Sequence, residues 1–404
     1  MDSYHIDRLG HRGDGLTRER IRVRRALPGE TVEGTPEEGL IAAPRILDPA
    51  PERVRPACPH YGGCGGCALL HASDAFVADW KRDVVARALA AQGIRAQIGD
   101  PITSPPASRR RATLSGRRTK KGAVVGFHGR GTEVLTSVPN CRVLTPGLIA
   151  GLPAMEALTV AGASRRGPLS LSVTQTRGGL DLAVTGGKPL DAALRAELAA
   201  IAGAGIFARL TWDTEPVILA QRPAVSLDGI DIVPPPGAFL QATVPGEAAL
   251  RAVVTRILGP AARIVDLFAG CGTFALPLAR VGDVHAVEGE AALLEALSRG
   301  WRDAHGLRKV STETRDLFRR PLLGDELAGF DAAVIDPPRA GAEAQTRQLA
   351  ASTISRIAFV SCNPVTFARD AACLIEAGFA MGQVEVVDQF RWSPHVELVA
   401  GFTR

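Results

Sequence analysis

Ile264-Val265-Asp266-Leu267-Phe268-Ala269-Gly270-Cys271-Gly272-Thr273-Phe274 is an apolar run that breaks into a glycine-rich turn and then resumes an apolar pattern. The run reads as a buried strand, the glycines let the backbone approach a ligand closely, and Thr273 to Val281 reads as the helix that follows. Moving outward, the same alternation repeats. Val284 to Glu288 reads as a strand, Ala291 to Ala304 as a helix, and further strands are expected near Val310 to Asp316, Asp331 to Asp336 and Arg356 to Ser361. This βαβ rhythm, starting at about Val233, specifies a doubly wound α/β sheet. Two strand-like runs between Gly382 and Phe402, with no helix between them, predict an antiparallel edge.

Ligands of such sheets bind beyond the carboxyl ends of the strands, so the residues that end each strand carry the chemistry. Gly270-x-Gly272-x-x-Ala275 suits an adenosine-type ligand, and Glu288 is placed to accept hydrogen bonds from ribose hydroxyls. A dinucleotide would satisfy both equally well. Asp336-Pro337-Pro338-Arg339 ends the fourth strand; consecutive prolines continue neither sheet nor helix, and so aim Asp336 into the cleft. A dehydrogenase has no need of that turn. Val360-Ser361-Cys362-Asn363-Pro364 ends the fifth strand, with Asn363 a good helix N-cap and Pro364 suited to the first turn. Backbone N–H groups at a helix start favour negative charge, so a thiol there tends towards thiolate. Free cysteines are also often simply buried. A place on the same sheet edge as Glu288 and Asp336 favours a nucleophile, and beside a methyl donor it suggests covalent catalysis on an unreactive carbon such as uracil C5.

The chain of 404 residues is long enough for two or three domains, and 46% hydrophobic residues is ordinary for a globular protein. No apolar run approaches the roughly 20 residues that cross a bilayer, and Met1-Asp2-Ser3-Tyr4-His5 lacks the features of a signal peptide. A cytoplasmic protein with no membrane partner is expected. The net charge of +5 is unevenly spread. Arg109, Arg110, Arg111, Arg117, Arg118, Lys120, Lys121 and Arg130 fall in a stretch without an acidic residue, and Arg18, Arg20, Arg22, Arg24 and Arg25 form a second run. Both favour contact with a nucleic-acid backbone.

Residues 1 to about 50 are short, strand-like and punctuated by Gly10, Gly13, Gly15 and Pro28-Gly29, which predicts a small β-barrel. Pro44 to Pro59 reads as a linker into Cys58-Pro59-His60-Tyr61-Gly62-Gly63-Cys64-Gly65-Gly66-Cys67. Three thiols at this spacing can converge on one metal centre, and spacing alone does not separate zinc from [4Fe-4S]. Among Cys141, Cys271, Cys362, Cys373 and His60, Cys141 is preferred as fourth ligand: Cys271 and Cys362 sit in motifs of their own and Cys373 in an amphipathic helix. His71 to Gly93 predicts another helix, with Phe76, Trp80, Val84, Ala88 and Ala91 on one face. Residues 100 to 230 alternate short strands with a helix at 190 to 202, an α+β pattern without a reaction signal of its own.

Ile6-Asp7-Arg8-Leu9-Gly10 through Gly13-Asp14-Gly15, with Leu27-Pro28-Gly29-Glu30-Thr31-Val32, resembles the TRAM domain, an OB-like RNA-binding barrel. Ser361-Cys362-Asn363-Pro364, Asp336-Pro337-Pro338-Arg339-Ala340-Gly341, Phe239-Leu240-Gln241 and His395-Val396-Glu397 together resemble the RNA uracil-C5 methyltransferase family. With the barrel and the cysteines included, the match is most similar to the branch acting on 23S ribosomal RNA.

The resemblance implies three parts: a TRAM-like barrel at 1–50, a central α+β domain with an iron–sulfur cluster at 51–232, and a C-terminal α/β class I (Rossmann-like) methyltransferase domain at 233–404. The helix at 71–93 is a candidate to pack on that last domain. It implies that Cys362 adds to uracil C6, that C5 then takes the methyl of S-adenosylmethionine, and that Glu397 removes the C5 proton. Gln241, Phe268, Gly270, Thr273 and Glu288 would line the cofactor pocket, Asp336 would contact cofactor or base, and Cys58, Cys64, Cys67 and Cys141 would ligate a [4Fe-4S] cluster. The partner is RNA, 23S rRNA first and transfer RNA as the alternative, and a monomer is expected. An NAD-dependent oxidoreductase or a non-catalytic iron–sulfur RNA-binding protein are readings of another class. Thr243 and Thr273 stand where the family commonly has Asn, and Arg391-Trp392 where it has Pro-His. Trp392 is either a stacking surface or a hydrophobic plug.

Overall fold

The strand that leads into the glycine turn is Arg263–Leu267, buried from Ile264 onward, and it lies inside an eight-stranded sheet. In the computed structural model, which describes residues 2–165, 167–203 and 205–404, the order is Val310–Thr314, Asp283–Glu288, Arg263–Leu267, Ala332–Ile335, Arg356–Ser361, Glu397–Thr403, Ala380–Asp388 and Ile102–Thr103. The first five strands are parallel and Glu397–Thr403 runs antiparallel to Arg356–Ser361. The chain enters at Arg263–Leu267, winds outward through the next two strands, then returns to Ala332–Ile335 on the other side. That reversal opens a crevice between the carboxyl ends of Arg263–Leu267 and Ala332–Ile335, where such sheets take their ligands.

Two of the expected elements differ. The helix expected over Thr273 to Val281 is only Ala275–Leu278, because Pro277 has no N–H for a longer ladder and Gly282 turns the chain straight into Asp283–Glu288. A Cβ on Gly282 would meet the Ala261 carbonyl oxygen at 2.3 Å, so that turn admits no side chain. The C-terminal strand pair is antiparallel, yet the sheet edge is supplied from far upstream by Ile102–Thr103, which pairs in parallel with Ala380–Asp388.

Both sheet faces are covered by apolar side chains. On one, Leu250, Val253 and Val254 of helix Val244–Leu258 and Leu293, Leu294 and Leu297 of helix Ala291–Asp303 pack with Ile264 and Val334. Val225, Leu227, Ile230 and Ile232 join this cluster, so its packing reaches back before residue 233. On the other face Phe359, Phe367 and Phe402 meet edge-on or tilted at 5.5 to 6.4 Å. Each is fully buried, which stabilises the fold by about 1.5–3 kcal/mol per ring.

The predicted helix at 71–93 is Asp74–Ala90, capped by the Ser73 hydroxyl accepting from the Phe76 N–H. Its fully buried stripe is Val77, Trp80, Lys81, Val85 and Leu89, one position on from the expected Phe76, Val84, Ala88 face. Val77 and Trp80 pack on Leu9, Leu27 and Leu69, whereas Val85 and Leu89 pack with Phe367 and Leu374 of helix Pro364–Glu376, which covers the eight-stranded sheet. The stripe read from sequence turns instead towards a cavity, lined by Val84, Ala88 and Ala91.

Residues 2 to 48 form two small sheets about Ile6, Val23, Ala26, Val32 and Ile41. In their Pro28-Gly29-Glu30 turn the buried Glu30 carboxylate accepts from the Leu27 and Ala50 N–H groups and pairs with Arg53. The central region holds a seven-stranded sheet in the order Leu135–Ser137, Ala123–His128, Arg111–Arg118, Leu169–Thr176, Gly179–Thr185, Phe207–Trp212, Glu215–Leu219, backed by helices Leu152–Gly162 and Ala192–Ala202. Among the described residues no helix is long and apolar enough to cross a membrane.

Candidate active site

At the mouth of the crevice the backbone leaves Leu267 through two left-handed residues, Phe268 at φ 63° and Gly270 at φ 55°. The turn is held by Glu288, whose two carboxylate oxygens accept from the Gly270 N–H at 3.0 Å and the Glu290 N–H at 3.1 Å. A Cβ on Gly270 would point into open space, whereas one on Gly272 would strike Leu297 at 2.8 Å. Gly270 therefore presents bare backbone to a ligand and Gly272 serves packing. Phe268 leans on Phe318 with ring centroids 5.4 Å apart, and Thr273 lies half-buried on the same loop. Beneath the loop Asp266 is fully buried with neither carboxylate oxygen bonded; the Ala275 N–H is turned towards it but outside hydrogen-bonding geometry. Burial, then the nearby Asp336 and Glu288 charges, push its pKa well above the ordinary range.

Opposite the loop a polar network links segments far apart in the chain. Gln241 donates through Nε2 to Asp336 Oδ2 at 3.3 Å, Gln389 donates to Glu397 Oε2 at 3.0 Å, and Gln389 also donates to Gln241 Oε1 at 2.6 Å. Glu397 is 3% exposed, and burial followed by the Asp336 charge pushes it up, opposed by the Gln389 hydrogen bond. Burial also raises Asp336, which keeps some exposure but lies deep in the crevice. Thr243 caps helix Val244–Leu258, accepting from the Gly246 N–H at 3.0 Å and sharing a hydrogen bond with Ser104.

Cys362 sits where the sequence places it, between strand Arg356–Ser361 and helix Pro364–Glu376, with the Asn363 side chain accepting from the Val365 N–H. Its electrostatics are the reverse of the expectation. The thiol is pushed up to about 12, first by burial and then by the Glu397 and Asp336 charges, with Arg339 pulling the other way. Burial, together with two carboxylates from the flanking strands, outweighs the helix start, so the thiol is protonated at rest. Cys362, Arg339 and His395 line one wall of a cavity of about 1140 Å³, whose other walls are Arg8 to Arg12, the cysteine segment, helix Asp74–Ala90 and Arg109. The glycine loop, Glu288 and Gln241 are not among the residues that line this cavity.

Cys58, Cys64, Cys67 and Cys141 line the same cavity, and burial followed by the charges of its neighbours Cys141, Cys64 and Cys58 raises Cys67 to about 12. Sulfur accepts from the Gly66 N–H at Cys64 and from the Val143 N–H at Cys141, each at 3.4 Å. The sulfurs are not closed on a common point: among the described residues no group of three or more His, Cys, Asp or Glu is arranged to hold a metal ion. Trp392 is a plug, 8% exposed among Tyr61 and Leu70, with its indole N–H on Asp74 and its carbonyl accepting from the Ala68 and Leu69 N–H groups.

The basic run divides by environment. Arg110, 5% exposed, pairs with the buried Glu247 and donates to the Gln241 carbonyl, so it is a core residue and not an RNA contact. Arg130 ties Asp14 to the central sheet, and Arg25 donates to the Tyr61 and Gly62 carbonyls. Lys120 and Lys121 are exposed at the turn between Arg111–Arg118 and Ala123–His128, with Arg117 and Arg118 half-exposed beside them. Two residues at the site have no role assigned from the sequence, Gln389 and Arg339, the second within the Asp336-Pro337-Pro338-Arg339 turn. The adjoining Asp388 and Gln389, a polar pair closing an apolar strand, were the available signal for the first.

A family model described as tRNA (Uracil-5-)-methyltransferase matches residues 303–402. An uncharacterized RNA methyltransferase of Rhizobium meliloti is 43% identical, covering 98% of this chain and 97% of that protein. The 23S rRNA (uracil(1939)-C(5))-methyltransferase RlmD of Halomonas elongata is 31% identical, covering 97% of this chain and 87% of its own. Among solved structures, the Pyrococcus abyssi tRNA (uracil-54, C5)-methyltransferase in complex with S-adenosyl-L-homocysteine superimposes with a TM-score of 0.78 at 21% identity, over 99% of each chain, a likeness of fold.

Proposed function

The chain belongs to the RNA uracil-C5 methyltransferase family and its reaction is S-adenosylmethionine-dependent methylation of uracil C5 in RNA; from that premise we propose 23S rRNA as the target, with Cys362 as nucleophile and Glu397 as base. The observation that carries this reading is the meeting of Cys362, Glu397 and Asp336 at one sheet edge, with the thiol open to a cavity large enough for an extruded base.

The residues fit the methyl donor. Asp266 is an unbonded buried carboxylate beneath the loop, and Gly270 leaves room where a Cβ would project. Gln241, Phe268, Gly270, Thr273, Glu288 and Asp336 would hold S-adenosylmethionine, which supplies an electrophilic methyl group. Cys362 Sγ would bond to uracil C6 as its proton passes to solvent in the cavity, and the C5–C6 π electrons would become an enolate whose C5 can accept the methyl group, S-adenosylhomocysteine being the leaving group. Glu397 then removes the C5 proton, the double bond re-forms and the Sγ–C6 bond breaks. With two carboxylates beside it, the thiol has to lose its proton in concert with attack.

The rRNA assignment is supported by the RlmD relative together with the cysteine segment and the small sheets of residues 2 to 48, which we assign to a TRAM-like module. We assign residues 1–50, 51–232 and 233–404 to three domains, the last completed by helix Asp74–Ala90 and strand Ile102–Thr103. Cys58, Cys64, Cys67 and Cys141 are assigned to a structural [4Fe-4S] cluster, supported by their shared cavity wall and by the N–H groups on two of the sulfurs. Ligation requires the four side chains to turn in on one point.

Methylation of 23S rRNA and tRNA transcripts with labelled S-adenosylmethionine, followed by mapping of 5-methyluridine, tests the target. Label in tRNA alone would move the assignment to tRNA, and undiminished methylation by Cys362→Ala would remove the mechanism.

A further inference from the structure

We infer that Gln389 is a positioning residue for this reaction: anchored by the Ala242 backbone N–H, it holds one N–H against Glu397 and, by orienting Gln241, a second against Asp336. The inference rests on the assignment of Glu397 as base.

A backbone N–H can only donate, so the Gln389 atom facing Ala242 N at 2.7 Å is the carbonyl oxygen Oε1. Nε2 therefore lies on the opposite side, and its two hydrogens meet Glu397 Oε2 at 3.0 Å and Gln241 Oε1 at 2.6 Å. Gln241 is then fixed in turn. Its oxygen is committed to Gln389, which leaves its own Nε2 for Asp336 Oδ2 at 3.3 Å. Turning either amide over would set oxygen against carboxylate oxygen and N–H against N–H as well. Gln389 and Gln241 are each 2% exposed, so water cannot relieve that conflict.

The frame around the amides is stiff. Asp388 is held by the Lys81 ammonium at 2.5 Å and by the Phe390 N–H at 3.0 Å, and Arg110 holds the Gln241 carbonyl from the other side. The charged and titratable groups facing Glu397 are Asp336, Cys362 and Arg339. Burial and Asp336 favour its protonated form, whereas an N–H donor favours the carboxylate that proton removal requires. The Gln389 donor therefore both aims Glu397 and keeps more of it ionised.

The test is the pH dependence of single-turnover methylation in the full-length protein. In Gln389→Leu the N–H is removed and the acid limb should move up by about one pH unit, which reads as a roughly tenfold lower rate at pH 7, largely recovered by pH 9. Gln389→Glu keeps an acceptor for Ala242 but withdraws the N–H, and should shift the limb at least as far. Covalent trapping on 5-fluorouridine RNA, whose C5 fluorine no base can remove, monitors an intact Cys362 site and should persist. A wild-type pH profile in either variant overturns the inference, and so does loss of trapping in both, which would leave Gln389 only a scaffold role. Full activity of Glu397→Gln would instead sink the assignment of the base. An inactive Glu397→Gln beside an unshifted Gln389→Leu would sink only the role of Gln389.

Discussion

Replacing Arg110 with alanine separates two roles that a run of arginines can hide. The Arg110 guanidinium is buried against Glu247, which is 1% exposed and whose other nearby cation is the Arg251 Nε at 3.8 Å. Removing one partner of a buried pair costs about 3–5 kcal/mol, because the remaining charge stays desolvated. For a domain of this size that lowers the thermal midpoint by roughly 6–20 °C. Burial already pushes the Glu247 carboxyl up, and without Arg110 its folded pKa lies well above the unfolded value. A raised carboxyl destabilises the fold most above its folded pKa, so the deficit shrinks as pH falls towards the ordinary carboxylate range. Arg110→Leu with Glu247→Leu removes both charges and should regain most of the loss. Thermal melts from pH 5 to 8, alongside RNA binding at several salt concentrations, read the outcome. The salt slope should be unchanged in Arg110→Ala, since this residue reaches no phosphate, whereas replacing Arg117, Arg118, Lys120 and Lys121 should flatten it by about 0.7 for each phosphate they no longer neutralise on single-stranded RNA. An Arg110→Ala protein that keeps its midpoint but binds RNA weakly, with a flatter slope, would refute this reasoning.

Glu397→Gln should slow turnover by about 10²- to 10⁴-fold and leave RNA covalently attached at Cys362, visible as a band of reduced mobility in denaturing gels; a slow enzyme with no such band would argue against proton removal after adduct formation. Because Glu397, as the proposed base, must be ionised to act and its pKa is raised, the wild-type single-turnover rate should still be climbing through neutral pH, and a rate already flat from pH 5 would contradict the site electrostatics. Protein purified without oxygen should contain iron and sulfide and absorb in the visible, and Cys64→Ser should lose both; a colourless, zinc-containing protein would refute the cluster.

The strand ends were legible because the residues that mark them are local signals: glycines after Leu267, prolines after Asp336, an N-cap after Cys362. Their state was not. The Cys362 thiol is governed by burial and then by Glu397 and Asp336, which arrive from other strands, and no local pattern at a helix start reports that. The same limit applies to Arg110, indistinguishable from its neighbours until Glu247 is placed beside it. Helix Asp74–Ala90 misled by one position because it serves two bodies at once and buries Lys81 within its apolar stripe, where the Asp388 partner is invisible to periodicity. Gln389 was hidden for a related reason: its partners Ala242, Gln241 and Glu397 converge only through the sheet.

The edge strand Ile102–Thr103 and helix Asp74–Ala90 make the catalytic fold discontinuous in sequence, which bears on how it can be inherited and handled. A gene fragment encoding only the last 172 residues would leave the outer side of Ala380–Asp388 without its cap and Phe367 and Leu374 without Val85 and Leu89. An unpaired edge beside exposed apolar side chains invites association with other copies. The methyltransferase is thus not a portable cassette to which a separate front end was attached, and any transplantable unit has to begin upstream of Ser73.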